Sequence, residues 1–183
     1  RLSINISPRH FGSPDLSRTI IQELEQLQLP GDCLELEITE NLLFRNQDDT
    51  LKVLKQLRKR GIRIALDDFG SGHSSLNHLR TFPFDTLKIT RDSIKGILDQ
   101  PQDQTLVKAI ITMANGLGLG TVAKGIENPE QLAVLNQQGL NSIQGHLYSP
   151  ALTPQAFAEY YDQHNNQGLN QHDNENNNPP QNL

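Results

Sequence analysis

The chain has 183 residues and a net charge of −5 at pH 7, with 35% hydrophobic and 20% charged residues. That is one domain's worth of chain with enough apolar side chains for a sizeable core, and it lacks a basic run able to neutralise the phosphates of a nucleic-acid polymer. The single cysteine, Cys33, excludes an intrachain disulfide and a thiolate zinc cluster and fits a reducing compartment, so a cytoplasmic location is expected, in a parent protein free to be membrane-tethered. No apolar stretch approaches the roughly 18 residues that cross a bilayer.

The chain opens at Arg1 directly into an apolar-flanked segment, residues 2–7, that carries Asn5. Ser13-Pro14-Asp15 has the form of a helix cap with proline at the first helical position, and Leu16, Ile20, Ile21, Leu24 and Leu27 follow at helical spacing. A second strand is predicted over residues 34–39, with Glu37 near its end. A helix follows from Asp48 to Arg60 on Leu51, Leu54 and Leu57, stopping at Gly61. Between Gly61 and Gly70 an Ile-rich run ends in two carboxylates, Asp67 and Asp68, and reads as a buried strand with the acids at its C-terminal tip. Taken alone, such a pair does no more than cap a turn; here similar polar punctuation recurs on other segments. Residues 86–90 carry Lys88, residues 121–126 carry Lys124 and residues 142–148 carry Gln144. Between them lies a helical pattern from Gln104 to Leu117 on Leu106, Ile110, Ile111 and Met113. Asn128-Pro129 and Thr153-Pro154 repeat the cap-then-proline start, and Gly139 closes the helix after the first of them. From Asp162 the composition changes: 12 of the last 22 residues are Asn or Gln, and a segment this poor in apolar side chains is expected to be a disordered tail, which sets a first domain at residues 1–161 and the tail at 162–183.

Strict alternation of strand and helix implies an α/β fold with a largely parallel sheet, open or closed into a barrel. Side chains alternate along a strand, so Ile4 and Ile6, Leu34, Leu36 and Ile38, Ile62, Ile64 and Leu66, and Leu87 and Ile89 face one way, while Asn5, Glu37, Asp67 and Lys88 face the other. With the apolar faces packed on helices, the six polar tips converge at one end of the sheet.

The segments SINISPRHF, LELEITE, ALDDFGSGHSSL, FDTLKIT, TVAKGIENPEQ and IQGHLYSP, spread over residues 1 to 155, resemble in order and spacing the motifs of the EAL-domain family of cyclic-di-GMP phosphodiesterases. The resemblance implies a modified (β/α)8 TIM-like barrel of which this chain holds strands three to eight, the first two βα units being missing. It implies cyclic-di-GMP as ligand and Mg2+ or Mn2+ as cofactor in an active member. Hydrolysing a phosphodiester near neutral pH calls for charge neutralisation and a generated hydroxide, tasks suited to hard cations on oxygen ligands. By resemblance Asn5, Glu37 and Asp67 hold a first metal and Asp68 a second. Lys88 orients and polarises the attacking water, and Gln144 lies beside the water or second metal. Glu40 bonds from outside the ligand set to the loop at residues 68–74, which in the family also shapes a homodimer contact. Glu127 is a structural carboxylate on its own loop. Upstream sensor or GGDEF-type domains are further partners the resemblance implies.

Two departures bear on activity. The name-giving Glu-Ala-Leu belongs on the first strand, and this chain starts after it. Within the chain, Lys124 in AKGIE stands where the family has a metal-site Glu in AEGVE. An ammonium does not ligate a cation and repels one nearby, so Lys124 is expected to exclude the second metal and to lie within salt-bridge distance of Asp67 or Asp68. His73 for the usual Tyr and Thr90 for the usual Asp are lesser departures. The reading is therefore an EAL-family cyclic-di-GMP domain with a degenerate site, acting as a nucleotide-binding or interaction module. The alternative is an active metal-dependent phosphodiesterase producing pGpG. A third reading, a phosphoryl-transfer protein suggested by Asp68-Phe69-Gly70, lacks a glycine-rich nucleotide loop and a His-Arg-Asp segment.

Overall fold

Apolar strands that must bury both faces, joined by helices long enough to cross back over the sheet, can only run parallel. The computed structural model describes residues 1–11, 13, 15–43, 47–71 and 76–175. It shows six strands, β1 (Leu2–Asn5), β2 (Leu34–Thr39), β3 (Arg63–Phe69), β4 (Thr86–Ile89), β5 (Gly120–Lys124) and β6 (Ser142–Gln144), all parallel and in the spatial order β1-β2-β3-β4-β5-β6. The sheet curls into an open half-barrel with helices on its convex side. Those helices are α1 (Pro8–Phe11), α2 (Leu16–Gln26), α3 (Glu40–Leu43), α4 (Gln47–Lys59), α5 (Leu76–Thr81), α6 (Arg91–Lys95), α7 (Pro101–Gly116) and α8 (Pro129–Gln137).

The core lies between the convex face and these helices. Leu36, Ile38, Ile62, Ile64, Leu66, Leu87 and Ile89 meet Leu54 and Leu57 of α4 and Val107, Ile111 and Ala114 of α7, all essentially without solvent contact. Each such Leu or Ile contributes about 1.5–3 kcal/mol by leaving water. In α7 the buried stripe runs Val107, Ile110, Ile111 and Ala114; of the expected residues Ile110 and Ile111 are buried and Met113 is partly buried against the core, whereas Leu106 is exposed. The helix also begins at Pro101, because proline suits the first turn. The side chain of Asn128 caps α8 by accepting from the Gln131 amide at 2.9 Å, as the Asn-Pro pair predicts. For α2 the residue before the helix is Asp15, with no side-chain cap, and Pro14 lies outside the described residues.

β1 departs from the packed pattern: all four of its residues are exposed, Leu2 at 64% and Ile4 at 41%, so the expected burial of Ile4 is not met. Among the described residues it is an edge strand, paired with β2. Residues 1–147 form one compact unit; the second, from Tyr148 onward, contains α9 (Pro154–Glu175). Thr153 Oγ1 accepts from the Ala156 amide at its start, and the helix runs on past residue 162, where the Asn/Gln-rich composition begins.

Candidate functional site

The concave face carries what the core rejects. Along it the sheet sets Ser3 and Asn5 of β1, Glu35 and Glu37 of β2, Arg63, Ala65 and Asp67 of β3, Thr86 and Lys88 of β4, Lys124 of β5 and Gln144 of β6. Because the strands are parallel, Asn5, Glu37, Asp67, Lys88, Lys124 and Gln144 all lie toward the same C-terminal end, where barrel enzymes keep their chemistry. Register places Asn5 beside Glu37 and Gln144 beside Lys124.

Charge is distributed across this row in a definite order, two acids on β2 and β3 followed by two amines on β4 and β5. Each acid reaches the amine two strands away. Lys88 Nζ donates to Glu37 Oε1 at 2.5 Å, and both side chains are more than nine-tenths buried. The strand between them is β3, whose residue in register with Glu37 is Ala65. Lys124 Nζ crosses β4 to donate to both oxygens of Asp67, at 2.8 and 2.9 Å, and to Asp68 Oδ1 at 2.9 Å. Toward the N-terminal end a further polar tie spans the same gap: Glu35 accepts from Thr86 Oγ1 at 2.9 Å and from Ser3 Oγ at 3.3 Å.

That one amine meets two consecutive carboxylates has a backbone cause. In a regular strand Asp67 and Asp68 would point to opposite faces. The β3–β4 register shifts between Leu66 and Phe69, and Asp68 adopts φ 54°, in the left-handed region. A bulge of this kind re-aims a side chain, and here it turns Asp68 toward the same amine as Asp67. The Asp68 amide closes the turn by donating to Asp67 Oδ1 at 2.9 Å. Burial alone pulls the Lys124 ammonium toward neutrality, but its hydrogen bonds to Asp67 and Asp68 and their charges outweigh this and hold its pKa above the ordinary 10.5.

Around this row the loops are fastened to one another. The Gln144 carbonyl accepts from the Gly125 and Ile126 amides at 2.7 and 3.3 Å, and Leu147 N–H donates to the Ile126 carbonyl at 3.0 Å. Gly145 is needed for this approach, since a Cβ there would fall 2.1 Å from the Ile126 oxygen. The Gln144 side chain, like that of Asn5, is exposed. Glu127 pairs with Arg91, which opens α6 just after β4, and the Arg91 stem covers Gly125. Glu40, at the start of α3, lies 2.9 Å from His78 Nδ1 of α5. Of the loop at residues 68–74 expected to take the Glu40 bond, residues 72–74, His73 among them, lie outside the described residues. Neither Arg91 nor His78 was singled out by sequence; the only trace of Arg91 is its place directly after a strand tip.

A divalent cation between Asp67 and Asp68 does not fit this donor set. An ammonium has three N–H donors, and all three are spent on the carboxylate oxygens that such a cation would need. Glu37 is likewise engaged by Lys88, and among the described residues no group of three His, Cys, Asp or Glu is placed to hold a metal ion.

A parallel α/β half-barrel with acids and amines at its C-terminal strand tips defines a TIM-like barrel domain. The chain belongs to the EAL domain family, whose model matches residues 1–151. It is 39% identical over 160 residues to the cyclic di-GMP phosphodiesterase NbdA of Pseudomonas aeruginosa, covering 87% of this chain and 20% of NbdA. Among solved structures, the EAL enzyme Bd1971 with cAMP and cyclic-di-GMP bound is similar with a TM-score of 0.83 and 33% identity, covering 86% of this chain and 42% of that one. A manganese and cyclic-di-GMP complex of Klebsiella pneumoniae BlrP1 is similar with a TM-score of 0.76 and 32% identity, covering 82% and 38%. The chain spans between 19% and 22% of the length of several curated relatives it matches.

Proposed function

We propose that this chain is a cyclic-di-GMP-recognising EAL domain that binds the dinucleotide without hydrolysing it. The observation that carries the reading is the Lys124 ammonium seated on Asp67 and Asp68. Metal-assisted phosphodiester hydrolysis needs carboxylates free to hold a cation that activates water. Here the carboxylates hold an amine, which neither accepts a water ligand nor lowers the pKa of one.

Recognition is a separate matter from turnover. A dinucleotide with two phosphates is repelled by naked carboxylates, and Lys124 leaves the Asp67–Asp68 pair with one negative charge in place of two. Glu37 and Lys88 cancel. Exposed Asn5 and Gln144 add amide donors at the same end, and the cyclic-di-GMP complex of Bd1971, an EAL relative above 30% identity, supports the choice of ligand. The test is calorimetric titration of the protein with cyclic-di-GMP in EDTA and in Mn2+, with chromatography of the same mixtures. Binding in both buffers and no accumulation of pGpG are expected. Metal-dependent conversion to pGpG by the unaltered protein would refute the reading.

A further inference from the structure

We propose that Lys124 is a tethered substitute for a divalent cation: it holds the bulged Asp67–Asp68 turn together without metal, and exchanging it for a carboxylate turns the same place into a divalent-cation site. The inference rests on the functional reading above and deepens it by naming what the ammonium does for the fold of the site.

The first argument is geometric. Three oxygens from two adjacent residues surround one nitrogen at 2.8, 2.9 and 2.9 Å, the spacing of charge-assisted N–H···O bonds. Oxygen ligands lie about 2.0–2.6 Å from Mg2+ or Ca2+, so a contraction of about 0.2–0.9 Å would fit such an ion to the same oxygens.

The second argument concerns the turn. Asp68 sits at φ 54°, a conformation that costs a non-glycine residue energy and that Asp tolerates better than most. The bulge brings two carboxylates to one point, where their mutual repulsion opposes it. Among the described residues, local bonding supplies the Asp68 amide to Asp67. The compensating charge comes from β5, two strands away, on a side chain that must reach across β4 to deliver it. A residue with no local role in the turn is therefore what balances it.

The third argument is chemical. Remove the ammonium, and three hard anionic oxygens are left around one point without a counter-charge; add a carboxylate at position 124, and the donor set becomes three acids, which suits Mg2+, Mn2+ or Ca2+.

The experiment compares the unaltered protein with Asp68→Asn, Lys124→Glu and Lys124→Glu/Asp68→Asn, by thermal unfolding in EDTA and in millimolar MnCl2 and by Mn2+ electron paramagnetic resonance titration. The unaltered protein should unfold at the same temperature in both buffers and take up no Mn2+ that Asp68→Asn abolishes. Lys124→Glu should be less stable in EDTA, gain about 5 °C or more in Mn2+ and bind one Mn2+ that the double variant loses. If Lys124→Glu is unfolded in EDTA, Mn2+ must restore its native near-ultraviolet spectrum. Asp68-dependent Mn2+ binding by the unaltered protein, or a Lys124→Glu variant indifferent to Mn2+, overturns the proposal. These readouts contain no nucleotide, so a failure here and a failure of the cyclic-di-GMP reading are separable.

Discussion

Lys88→Met removes one end of the most buried ion pair on the concave face while keeping a stem of similar length, so the change isolates the charge from any cavity. Lys88 and Glu37 are each more than nine-tenths buried and 2.5 Å apart. Glu37 would be left as an uncompensated carboxylate among side chains that exclude water, a situation that costs about 3–5 kcal/mol. For a domain of this size about 1 kcal/mol corresponds to roughly 2–4 °C in Tm, so a fall on the order of 10 °C is expected. Lys88→Met/Glu37→Leu removes both charges together, and a buried pair exchanged for apolar residues is close to neutral or stabilising. A double-mutant cycle by circular dichroism therefore has an asymmetric signature: a large loss for Lys88→Met, most of it recovered in the double variant. A loss under about 1 kcal/mol for Lys88→Met, the value of an exposed pair, would refute the argument that this bridge is shielded from water.

Gly145→Ala should cost about 1–3 kcal/mol, because a Cβ 2.1 Å from the Ile126 carbonyl oxygen forces the backbone of two loops apart; a urea titration should show a lower midpoint with an unchanged slope. The pKa of Lys124 is raised, so its contribution to stability is complete below 10.5 and lost as pH rises through the higher folded value. The stability gap between the unaltered protein and Lys124→Met should thus be level from neutral pH to about 10 and narrow above it, and a gap that closes between pH 6 and 9 would contradict the assignment.

Much of the sheet was legible because parallel strands obey a two-residue period: the inward placement of Glu37, Asp67 and Lys88 follows from alternation, and the helix starts at Pro129 and Pro154 follow from their caps. The period breaks at Asp68. Nothing in an Ile-rich run ending in Asp-Asp announces a register shift, and only the bulge puts two neighbouring acids on one amine. Lys124 could be placed beside these acids because the family resemblance sets it at a metal-site position and its charge complements theirs, but its bidentate hold on Asp67 depends on the curl of the sheet. In α7 Leu106 was read as core in place of Val107 because both are apolar, and packing on β4 and β5 decides between them. The Arg91 and His78 contacts join residues far apart in sequence, which periodicity does not register.

Ala65 has no polar group on its side chain, yet its small size bears on the Glu37–Lys88 bridge. The bridge must pass the strand between its ends, and the β3 residue in register with Glu37 is a fully buried alanine, flanked by Ile64 and Leu66. A side chain that stops at Cβ leaves a doorway; a valine or leucine would stand in it, separate the two charges and strand both away from water. The reactive-looking groups of this site are thus hostage to its least reactive one, and a lineage could dismantle the charge row without touching an acid or an amine, simply by adding two methyl groups to β3.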